Sequence, residues 1–398
     1  MTVTTTIIAL GHKGEGIAEV DGKRVFVPFA LAGERVEIAI DGDRGMLVSV
    51  LEASTERAAS ACAHFGRCGG CQLQHLERGA YEAFKSGLVE TALRHQGIEA
   101  RVERLIDAAG TGRRRATLHV RDGQAGYMRQ RSHALEDIEA CPILVPQLAR
   151  APEIARAVGA AVGEADVAFS ATLCGIDLAV LTKSKRAEAS RLAPLMARYG
   201  LARLALNGEL LLQAQVPLVA MGRAQVELPI GSFLQATQEA EEALADYVLA
   251  GIGKAKSVAD LFCGVGPFAL RVAERVTVTA FDSDRPAVAA LEKAARHTKG
   301  LKQITARARD LFRDPLTRFE LDGFDCVVLD PPRAGAQVQI EEIAVSKVKR
   351  VVMVACDPRS FARDAARLLA AGFAMRDLTA LDQFAWSNHI EIAALFHR

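Results

Sequence analysis

The stretch Asp260-Leu-Phe-Cys-Gly264-Val-Gly266-Pro-Phe268 decides the fold of the C-terminal part of the chain. It begins inside an apolar run, residues 257–262, and leads into a run with helical spacing, so the two glycines fall where a strand turns into a helix. Glycine lets the backbone pass close to a ligand here, and the N-terminus of the helix favours polar or anionic groups. Gly264 and Gly266 therefore predict a nucleotide-like ligand at this turn.

Asp282 strengthens that prediction. It ends the next apolar run, 22 positions after Asp260, where a carboxylate can accept hydrogen bonds from both ribose hydroxyls of an adenosine group. The third glycine that NAD-binding turns carry is missing, because residues 269–271 are Ala-Leu-Arg. The pattern favours S-adenosylmethionine over NAD. The alternative is a tight turn beside a surface aspartate that binds nothing.

From residue 229 onward, apolar strands alternate with amphipathic helices, which indicates a parallel sheet with helices on both faces. The predicted strands are residues 257–262, 276–282, 304–308, 326–329 and 351–356, and the clearest helices are 286–297 and 361–371. The chain ends in two strand-like runs, 376–381 and 389–396, with no helix between them. This predicts an α/β, Rossmann-like doubly wound sheet with terminal antiparallel strands, typical of methyltransferases rather than dehydrogenases, as a domain of residues 229–398.

Candidate functional residues lie at two further strand ends. In open α/β sheets, ligands bind outside the carboxyl ends of the strands. One is Leu329-Asp330-Pro-Pro-Arg333, and the other is Val354-Ala-Cys356-Asp357-Pro358. A cysteine between a strand end and a helix start can have a lowered pKa and act as a thiolate nucleophile. The alternative is a buried filler, which we expect of Cys174 and Cys326.

Glu391 lies in His389-Ile-Glu-Ile-Ala-Ala-Leu-Phe, a strand that is otherwise almost wholly apolar. Burial of a carboxylate costs several kcal/mol unless the group is paired or used in chemistry. We therefore single it out as a candidate acid or base, against the alternative that it lies on a solvent-facing side of the strand.

Residues 1–56 predict a small closed barrel of the oligonucleotide-binding type. Five short strands, at residues 4–10, 17–20, 24–27, 35–40 and 46–51, are joined by glycine turns such as Asp21-Gly22. A barrel with a purely structural role fits the pattern equally well.

Residues 57–228 predict an α+β central domain that opens with a cysteine cluster. Cys62, Cys68 and Cys71 have the spacing C-x5-C-x2-C, and Cys141, which precedes a proline, is a remote fourth. Three close cysteines and one remote Cys-Pro favour iron–sulfur ligation over zinc, which prefers two C-x2-4-C pairs. Zinc and unligated thiols remain the alternatives. A helix over residues 77–96 and a hairpin with the turn Asp122-Gly123 follow.

The hairpin holds six arginines against one acid in nineteen residues, a candidate RNA surface. Arginines grip phosphates in bidentate fashion, and a tyrosine can stack on an unpaired base. The alternative is a solvated charged hairpin. The candidates are Arg113, Arg114, Arg115, Arg121, Tyr127, Arg129 and Arg131, with the N-terminal barrel as a second candidate surface.

Composition excludes several classes of protein. The 398 residues hold 49 Lys and Arg against 48 Asp and Glu, a net charge of +1, so any polyanion site must be a local patch. No apolar run approaches the roughly 20 residues of a membrane span, and the N-terminus lacks the pattern of an export signal. Eight cysteines in such a chain are ligands, nucleophiles or core fillers rather than a disulfide scaffold. We expect a cytoplasmic protein without a membrane partner.

Taken together, these motifs resemble the RNA uracil-5-methyltransferases over essentially the whole chain. The motifs that carry the resemblance, in order, are Phe233-Leu-Gln235, Asp260-Leu-Phe-Cys-Gly-Val-Gly266, Asp330-Pro-Pro-Arg333, Cys356-Asp-Pro358 with Arg363-Asp364, and His389-Ile-Glu391. The resemblance implies Cys356 as the nucleophile and Glu391 as the base that removes a proton. It also implies an N-terminal TRAM domain, a [4Fe-4S] cluster on the four cysteines, and an S-adenosylmethionine site lined by Gln235, Phe262, Asp282 and Asp330.

The predicted reaction is transfer of a methyl group from S-adenosylmethionine to C5 of a uridine in RNA, by a monomer. Barrel and cluster together resemble the ribosomal RNA branch of the family more than the transfer RNA branch. The alternatives are a transfer RNA enzyme, an RNA-binding iron–sulfur protein without catalysis, and a redox enzyme that couples the cluster to a dinucleotide.

Overall fold

A computed structural model describes residues 2–130, 132–184 and 189–398. The N-terminal strands form the predicted closed barrel, in the order β1-β2-β3-β5-β4 with β4 paired back to β1. Asp21 and Gly22 both have positive φ, as a two-residue hairpin turn requires. The strands are β1 (Thr2–Leu10), β2 (Gly16–Val20), β3 (Lys23–Val27), β4 (Arg35–Asp41) and β5 (Arg44–Glu52).

The central region is built on a seven-stranded sheet with two helices on one face. Its core is formed by apolar side chains such as Leu118, Val158 and Leu178. The strands, in spatial order, are β13 (Glu209–Gln213), β12 (Leu201–Leu206), β11 (Gly175–Leu181), β10 (Ala165–Thr172), β7 (Arg115–Arg121), β8 (Gln124–Met128) and β9 (Leu135–Asp137). The helices are α2 (Ala151–Val162) and α3 (Ala189–Tyr199), with a short 3-10 helix at Pro146–Leu148 and a separate hairpin of β14 (Leu218–Met221) and β15 (Ala224–Glu227).

The C-terminal sheet has eight strands and confirms the predicted alternation. Its parallel strands are β16 (Ser257–Leu261), β17 (Thr277–Asp282), β18 (Ile304–Ala308), β19 (Cys326–Leu329) and β20 (Arg350–Ala355), and β22 (Glu391–His397) pairs antiparallel with both β20 and β21 (Ala374–Asp382). The spatial order is β18-β17-β16-β19-β20-β22-β21, with β6 (Arg104–Asp107) at the edge. The helices are α4 (Gln238–Gly251), α5 (Ala269–Val272), α6 (Arg285–His297), α7 (Arg318–Leu321), α8 (Gln337–Val345) and α9 (Pro358–Ala370).

The predicted boundary at residue 229 does not separate two units. Strand β6 pairs in parallel with β21, and helix α1 (Arg78–Arg94) packs Val89 and Leu93 into the core beneath the C-terminal sheet. The side chains that α1 buries are Tyr81, Lys85, Val89 and Leu93, four residues apart. The helical spacing predicts an apolar face of Tyr81, Phe84, Leu88 and Ala92; Tyr81 is buried as predicted, whereas the other three line a groove. Residues 78–107 therefore belong structurally with the C-terminal sheet.

Within the described ranges, no helix has both the length and the apolar character needed to cross a membrane.

Candidate active site

The strand ends of the C-terminal sheet bring the predicted site residues to one edge. Asp282 ends β17, while Asp330 and Cys356 directly follow β19 and β20. Strand β22 runs antiparallel to β20, and Ala355 pairs with Ile392. The first residue of β22, Glu391, therefore lies at the same edge as Cys356. Register alone places the candidate nucleophile beside the candidate base.

A chain of hydrogen bonds joins Glu391 to Asp330. Nε2 of Gln383 donates to Oε1 of Glu391 at 3.0 Å and to Oε1 of Gln235 at 2.7 Å. Nε2 of Gln235 in turn donates to Oδ2 of Asp330 at 3.2 Å. The amide N–H of Ala236 donates to Oε1 of Gln383 at 2.7 Å, which fixes the orientation of that side chain. The four side chains therefore form one connected polar unit.

Gln383 was missed by the sequence analysis. The available signal was a polar pair, Asp382-Gln383, at the end of the apolar run 378–381. That run ends at the edge where the other candidates lie. A polar residue at such a strand end is a candidate by the same argument that selected Asp330.

Glu391 is 3% exposed, and its Oε2 has no hydrogen-bond partner among the described residues. Burial raises the pKa of this carboxyl to about 8, the nearby Asp330 adds to the effect, and the bond from Gln383 opposes it. A group with this pKa can give up or accept a proton near neutral pH, as a general base must.

Two more carboxyls at this edge are buried. Burial raises the pKa of Asp330 to about 7, against the bond from Gln235. Burial also raises the pKa of Asp260, in β16, well above its ordinary value, and Asp330 adds to the effect. Neither carboxylate oxygen of Asp260 has a hydrogen-bond partner of normal geometry in the described structure, and the amide of Ala269 is a nearby donor. The edge is thus rich in acidic groups that lack a cation.

The glycine turn has the conformation expected of a ligand cradle. Gly264 and Gly266 both have positive φ, and a Cβ on Gly266 would lie 2.4 Å from a Leu291 methyl carbon, so only glycine fits. The amide N–H of Gly264 donates to Oδ2 of Asp282 at 2.8 Å. Phe262 directly precedes the turn with φ +64°, and its ring lies 5.4 Å from that of Phe312. The residues predicted to bind the cofactor are thus brought together.

Cys356 has a raised pKa, which corrects the expectation of a lowered one. Burial raises the pKa of the thiol to about 12, and the carboxyls of Glu391 and Asp330 add to the effect against the opposing charge of Arg333. Asp357 caps the N-terminus of α9, accepting hydrogen bonds from the amides of residues 359 and 360, so these N–H groups are taken by a carboxylate and not by the thiol. An added positive charge near the thiol would favour its ionised form.

Cys356 opens into a groove of about 700 Å³. One wall is the barrel segment of residues 10–13, a second is helix α1, and a third is formed by the start of α9 and the segment before β22. Its polar and charged lining residues are His12, Lys13, Thr91, His95, Gln96, Arg333, Asp357, Arg359, Asn388 and His389. We call this cavity the active-site groove.

Cys263 lies in the glycine turn, which makes it a weaker nucleophile candidate than Cys356 by sequence, and it packs in the apolar core behind the turn. Burial raises the pKa of its thiol well above the ordinary value, with Asp260 and Asp282 adding to the effect. Cys326 is also fully buried, as expected of a filler.

The four predicted cluster cysteines line one small cavity. Burial raises the pKa of Cys68 to about 11, and the other three thiols add to the effect, so all four lie close enough to interact. A Cβ on Gly69 would lie 2.7 Å from the carbonyl oxygen of Met128, so this loop can wrap tightly only with glycine. Within the described residues, no group of three His, Cys, Asp or Glu side chains has the arrangement of a metal-ion site. The thiols surround a cavity rather than a single point.

The arginines of the hairpin do not form one surface. Arg114 is buried, pairs with Glu241 and donates to the backbone oxygen of Gln235 at 3.1 Å. This corrects its prediction as a phosphate contact, because its charge is already satisfied inside the protein. Side chains on a strand alternate between faces, so a run of arginines cannot share one face.

The other candidate residues of the hairpin make different kinds of contact from one another. Arg113 stacks on Phe384 and Arg115 on Phe233, at 5.5 and 5.4 Å from the ring centres. Arg121 pairs with Asp166, and Arg129 is half exposed and pairs with Glu136. Tyr127 is partly buried: it packs against the central core and lines the cysteine cavity beside Cys141. Arg131 lies outside the described residues.

Comparison with known families gives two matches. A family model described as tRNA (uracil-5-)-methyltransferase matches residues 194–398, and a TRAM domain model matches residues 1–45. A solved structure of similar fold, with a TM-score of 0.78 and 20% identity, is Pyrococcus abyssi tRNA (uracil-54, C5)-methyltransferase in complex with S-adenosyl-L-homocysteine. The match covers 99% of each chain.

Similar full-length sequences give the same result. An uncharacterized RNA methyltransferase of Brucella suis biovar 1 is 43% identical, over 98% of this chain and 96% of its own. The 23S rRNA (uracil(1939)-C(5))-methyltransferase RlmD of Halomonas elongata is 32% identical, over 97% and 87% respectively. The chain belongs to the RNA uracil-5-methyltransferase family and is an S-adenosylmethionine-dependent enzyme.

Proposed function

We propose that this protein methylates C5 of a uridine in ribosomal RNA through a covalent adduct between Cys356 and C6 of the base. The observation that carries this proposal is the pairing of β20 with β22, which sets Cys356, at the edge of an open groove, beside the buried Glu391. A nucleophile and a base at one site are what this chemistry requires.

The reaction needs both groups because C5 of uracil is a poor nucleophile. The thiolate of Cys356 adds to C6, and the electron pair of the C5–C6 bond becomes an enolate with carbanion character at C5. C5 then attacks the methyl carbon of S-adenosylmethionine, the methyl–sulfur bond breaks, and S-adenosylhomocysteine leaves. The carboxylate of Glu391 removes the C5 proton, the C5–C6 double bond re-forms, and the electron pair of the C6–S bond returns to the thiolate.

The electrostatics of the site support S-adenosylmethionine as the methyl donor. Three carboxyls, Asp260, Asp330 and Glu391, have raised pKa values because burial disfavours their ionised forms. A sulfonium cation bound among them lowers the pKa of these groups and of the Cys356 thiol together, since an opposite charge favours the ionised form. Cofactor binding therefore activates the nucleophile.

The residues proposed to hold the cofactor are Gln235, Phe262, Gly264, Gly266, Asp282 and Asp330. The two glycines hold the turn that follows β16 in a conformation with positive φ, and the Asp282 carboxylate accepts the N–H of Gly264 in that turn. The carboxylate suits the ribose hydroxyls, and Phe262 offers a ring beside an adenine.

The active-site groove is the proposed path of the RNA. Lys13, Arg333 and Arg359 give it positive charge, and the barrel contributes one wall. The TRAM domain match and the resemblance to RlmD, together with the four cysteines, support ribosomal RNA as the substrate. Of the hairpin residues, Arg113, Arg115, Arg121 and the partly exposed Arg129 remain proposed phosphate contacts.

We further propose a [4Fe-4S] cluster on Cys62, Cys68, Cys71 and Cys141. Four thiols around the walls of one cavity, on a loop that wraps tightly through Gly69, fit a polynuclear cluster in number and chemistry. The cluster would tie the segment of residues 62–71 to the remote Cys141 as a covalent cross-link.

One experiment tests the function directly. RNA from cells with and without this protein is mapped for 5-methyluridine, and one site in ribosomal RNA is expected to lose the modification when the protein is absent. Loss at a transfer RNA site instead would assign the enzyme to transfer RNA. No change in any RNA would exclude the proposed activity.

A further inference from the structure

The loop of residues 383–390 connects β21 to β22 and carries both Gln383 and the approach to Glu391. Trp386, near its middle, has φ +59°, a backbone conformation that non-glycine residues rarely adopt. Such a conformation persists only where surrounding contacts hold it. The contacts that hold this loop come from a distant part of the chain.

Lys85 of helix α1 is fully buried, and its ammonium group donates hydrogen bonds to this loop and to the residue before it. Nζ donates to Oδ1 of Asp382 at 2.8 Å, to the backbone oxygen of Phe384 at 3.3 Å and to the backbone oxygen of His389. An ammonium group has three N–H donors, so these contacts use all of them. Because Phe384 lies near the start of the loop and His389 near its end, one side chain ties both ends together.

Tyr81 lies one helical turn before Lys85 and holds the middle of the loop. Its hydroxyl donates to Oδ2 of Asp382 and accepts the amide N–H of Trp386 at 2.9 Å. The backbone oxygen of Trp386 accepts N–H groups of Gln72 and Leu73, which follow Cys71, at 2.8 and 2.9 Å. Helix α1 and residues 72–73 thus hold the loop at both ends and at its middle.

We propose that Lys85 and Tyr81 are positioning residues for proton abstraction: through Asp382 and the loop backbone they hold Gln383 so that its amide orients the Glu391 carboxylate. This inference rests on the proposed function of Glu391 as the base. Neither residue touches the thiol or the carboxyl of the active site. Their role is to fix the amide that donates to Oε1 of Glu391.

A positioning role for Lys85 and Tyr81 predicts a change in the pKa of Glu391, which a general loss of stability does not predict. The hydrogen bond from Gln383 favours the ionised form of Glu391, so loss of that bond raises the pKa of the base. The acid limb of the pH profile of kcat/KM, where activity rises as the base ionises, should move to higher pH. Elimination should also slow, so the methylated covalent adduct should accumulate.

The test uses two variants and one matched control. Tyr81→Phe removes only the hydroxyl, while Lys85→Met with Asp382→Asn removes both charges and leaves neither unpaired. The control is Arg203→Met with Asp177→Asn, which removes a buried ion pair of the central sheet that joins its two side chains at 2.7 Å. Each purified full-length protein is assayed with uridine-containing RNA and labelled S-adenosylmethionine.

We expect kcat to fall by up to about 100-fold in the charge-balanced double variant and less in Tyr81→Phe, since a displacement of about 1 Å in a reacting group can cost this much. In both, the pH limb should move upward and the adduct should accumulate on a denaturing gel, with the S-adenosylmethionine Kd within a few-fold of wild type. The control should keep the wild-type pH limb and adduct level. If the double variant fails to fold, Tyr81→Phe decides the question.

A lowered kcat with an unmoved pH limb and no extra adduct would show that Lys85 and Tyr81 are structural only. That outcome differs from failure of the proposed function, in which the wild-type enzyme forms no 5-methyluridine or the Cys356→Ala enzyme still forms the adduct.

Discussion

Gln235 and Glu391 accept hydrogen bonds from the same nitrogen, Nε2 of Gln383, at 2.7 and 3.0 Å. Gln235 is a proposed cofactor contact and Glu391 is the proposed base, so a single amide connects the proposed cofactor site to the proposed base. A shift of the Gln235 side chain when the cofactor binds is therefore transmitted to the carboxyl that must later accept a proton.

Substitutions of Cys356 and Glu391 are expected to stop the reaction at different steps. Cys356→Ala should abolish turnover and every covalent RNA adduct, because nothing can add to C6. Glu391→Gln keeps the thiol but cannot accept the C5 proton, so the methylated adduct should accumulate as a complex that survives denaturant. A denaturing gel with labelled S-adenosylmethionine separates the two. An adduct in Cys356→Ala would place the nucleophile elsewhere, and normal turnover in Glu391→Gln would require another base.

The reactivity of Cys356 should depend on the cofactor. A pKa raised to about 12 means that at pH 8 a smaller fraction is thiolate than for an ordinary cysteine, so alkylation by iodoacetamide should be slow. Saturating S-adenosylmethionine should speed alkylation through its positive charge, whereas S-adenosylhomocysteine, of similar shape without the sulfonium, should not. Mass spectrometry of the Cys356 peptide measures the rates, with half-exposed Cys174 as the internal control. Equal rates with the two compounds would contradict charge activation.

Glu391 should make the fold less stable as pH rises. Its pKa is about 8 in the folded protein against an ordinary value of 4.5, so the folded state binds more protons in that range. The contribution of this carboxyl to the free energy of unfolding is largest below about pH 4.5. It decreases as the pH rises to 8, by up to about 1.4 kcal/mol per pH unit. Glu391→Gln should therefore be more stable than wild type at pH 8.5 and nearly equal at pH 5 in urea unfolding. A pH-independent difference would show that the carboxyl is not neutral when folded.

Iron content tests the cysteine cavity. Anaerobically purified protein should be brown and hold about four irons per chain. Cys62→Ser should bleach it and destabilise the central region, whereas Cys174→Ser, outside the cavity, should leave colour and iron unchanged. A colourless anaerobic preparation with stoichiometric zinc would refute the cluster.

The active-site groove should carry part of the salt dependence of RNA binding. Arg359→Gln removes a charge from its wall and should reduce the slope of log K against log salt concentration by about 1, as expected for the loss of one phosphate contact. Arg198→Gln, an exposed arginine of α3 outside the groove, is the matched control. S-adenosylmethionine affinity should not change. An unaltered slope in Arg359→Gln would exclude this residue from the RNA path.

Local pattern was sufficient for much of the fold. The barrel strands and the parallel strands carry apolar runs bounded by glycines, and both were predicted within a few residues. Strand β6 was missed because it has four residues, two of them charged, and pairs with a strand about 270 positions later. Of the buried face of α1 only Tyr81 was predicted, because Lys85 lies in the centre of that face, where a hydrophobic pattern does not expect a charge.

The site residues also fall into two groups, those that the local sequence reveals and those that only the folded chain brings together. Cys356, Glu391 and Asp330 were found because each is unusual for its local sequence. Gln383 was not, because its partners are Gln235 and Glu391 and only the folded chain brings them together. The pKa of Cys356 was predicted with the wrong sign for the same reason: the carboxyls that raise it come from other strands.

The edge strand β6 also limits how this enzyme can be divided or recombined. The sheet that carries the reaction takes its eighth strand from residues 104–107 and packs on a helix from residues 78–94, both encoded before the central sheet. A fragment that begins at residue 229 would leave β21 with a bare edge and an uncovered apolar surface. Gene fusion or domain exchange that moved the C-terminal sheet between proteins would therefore have to move residues 78–107 with it.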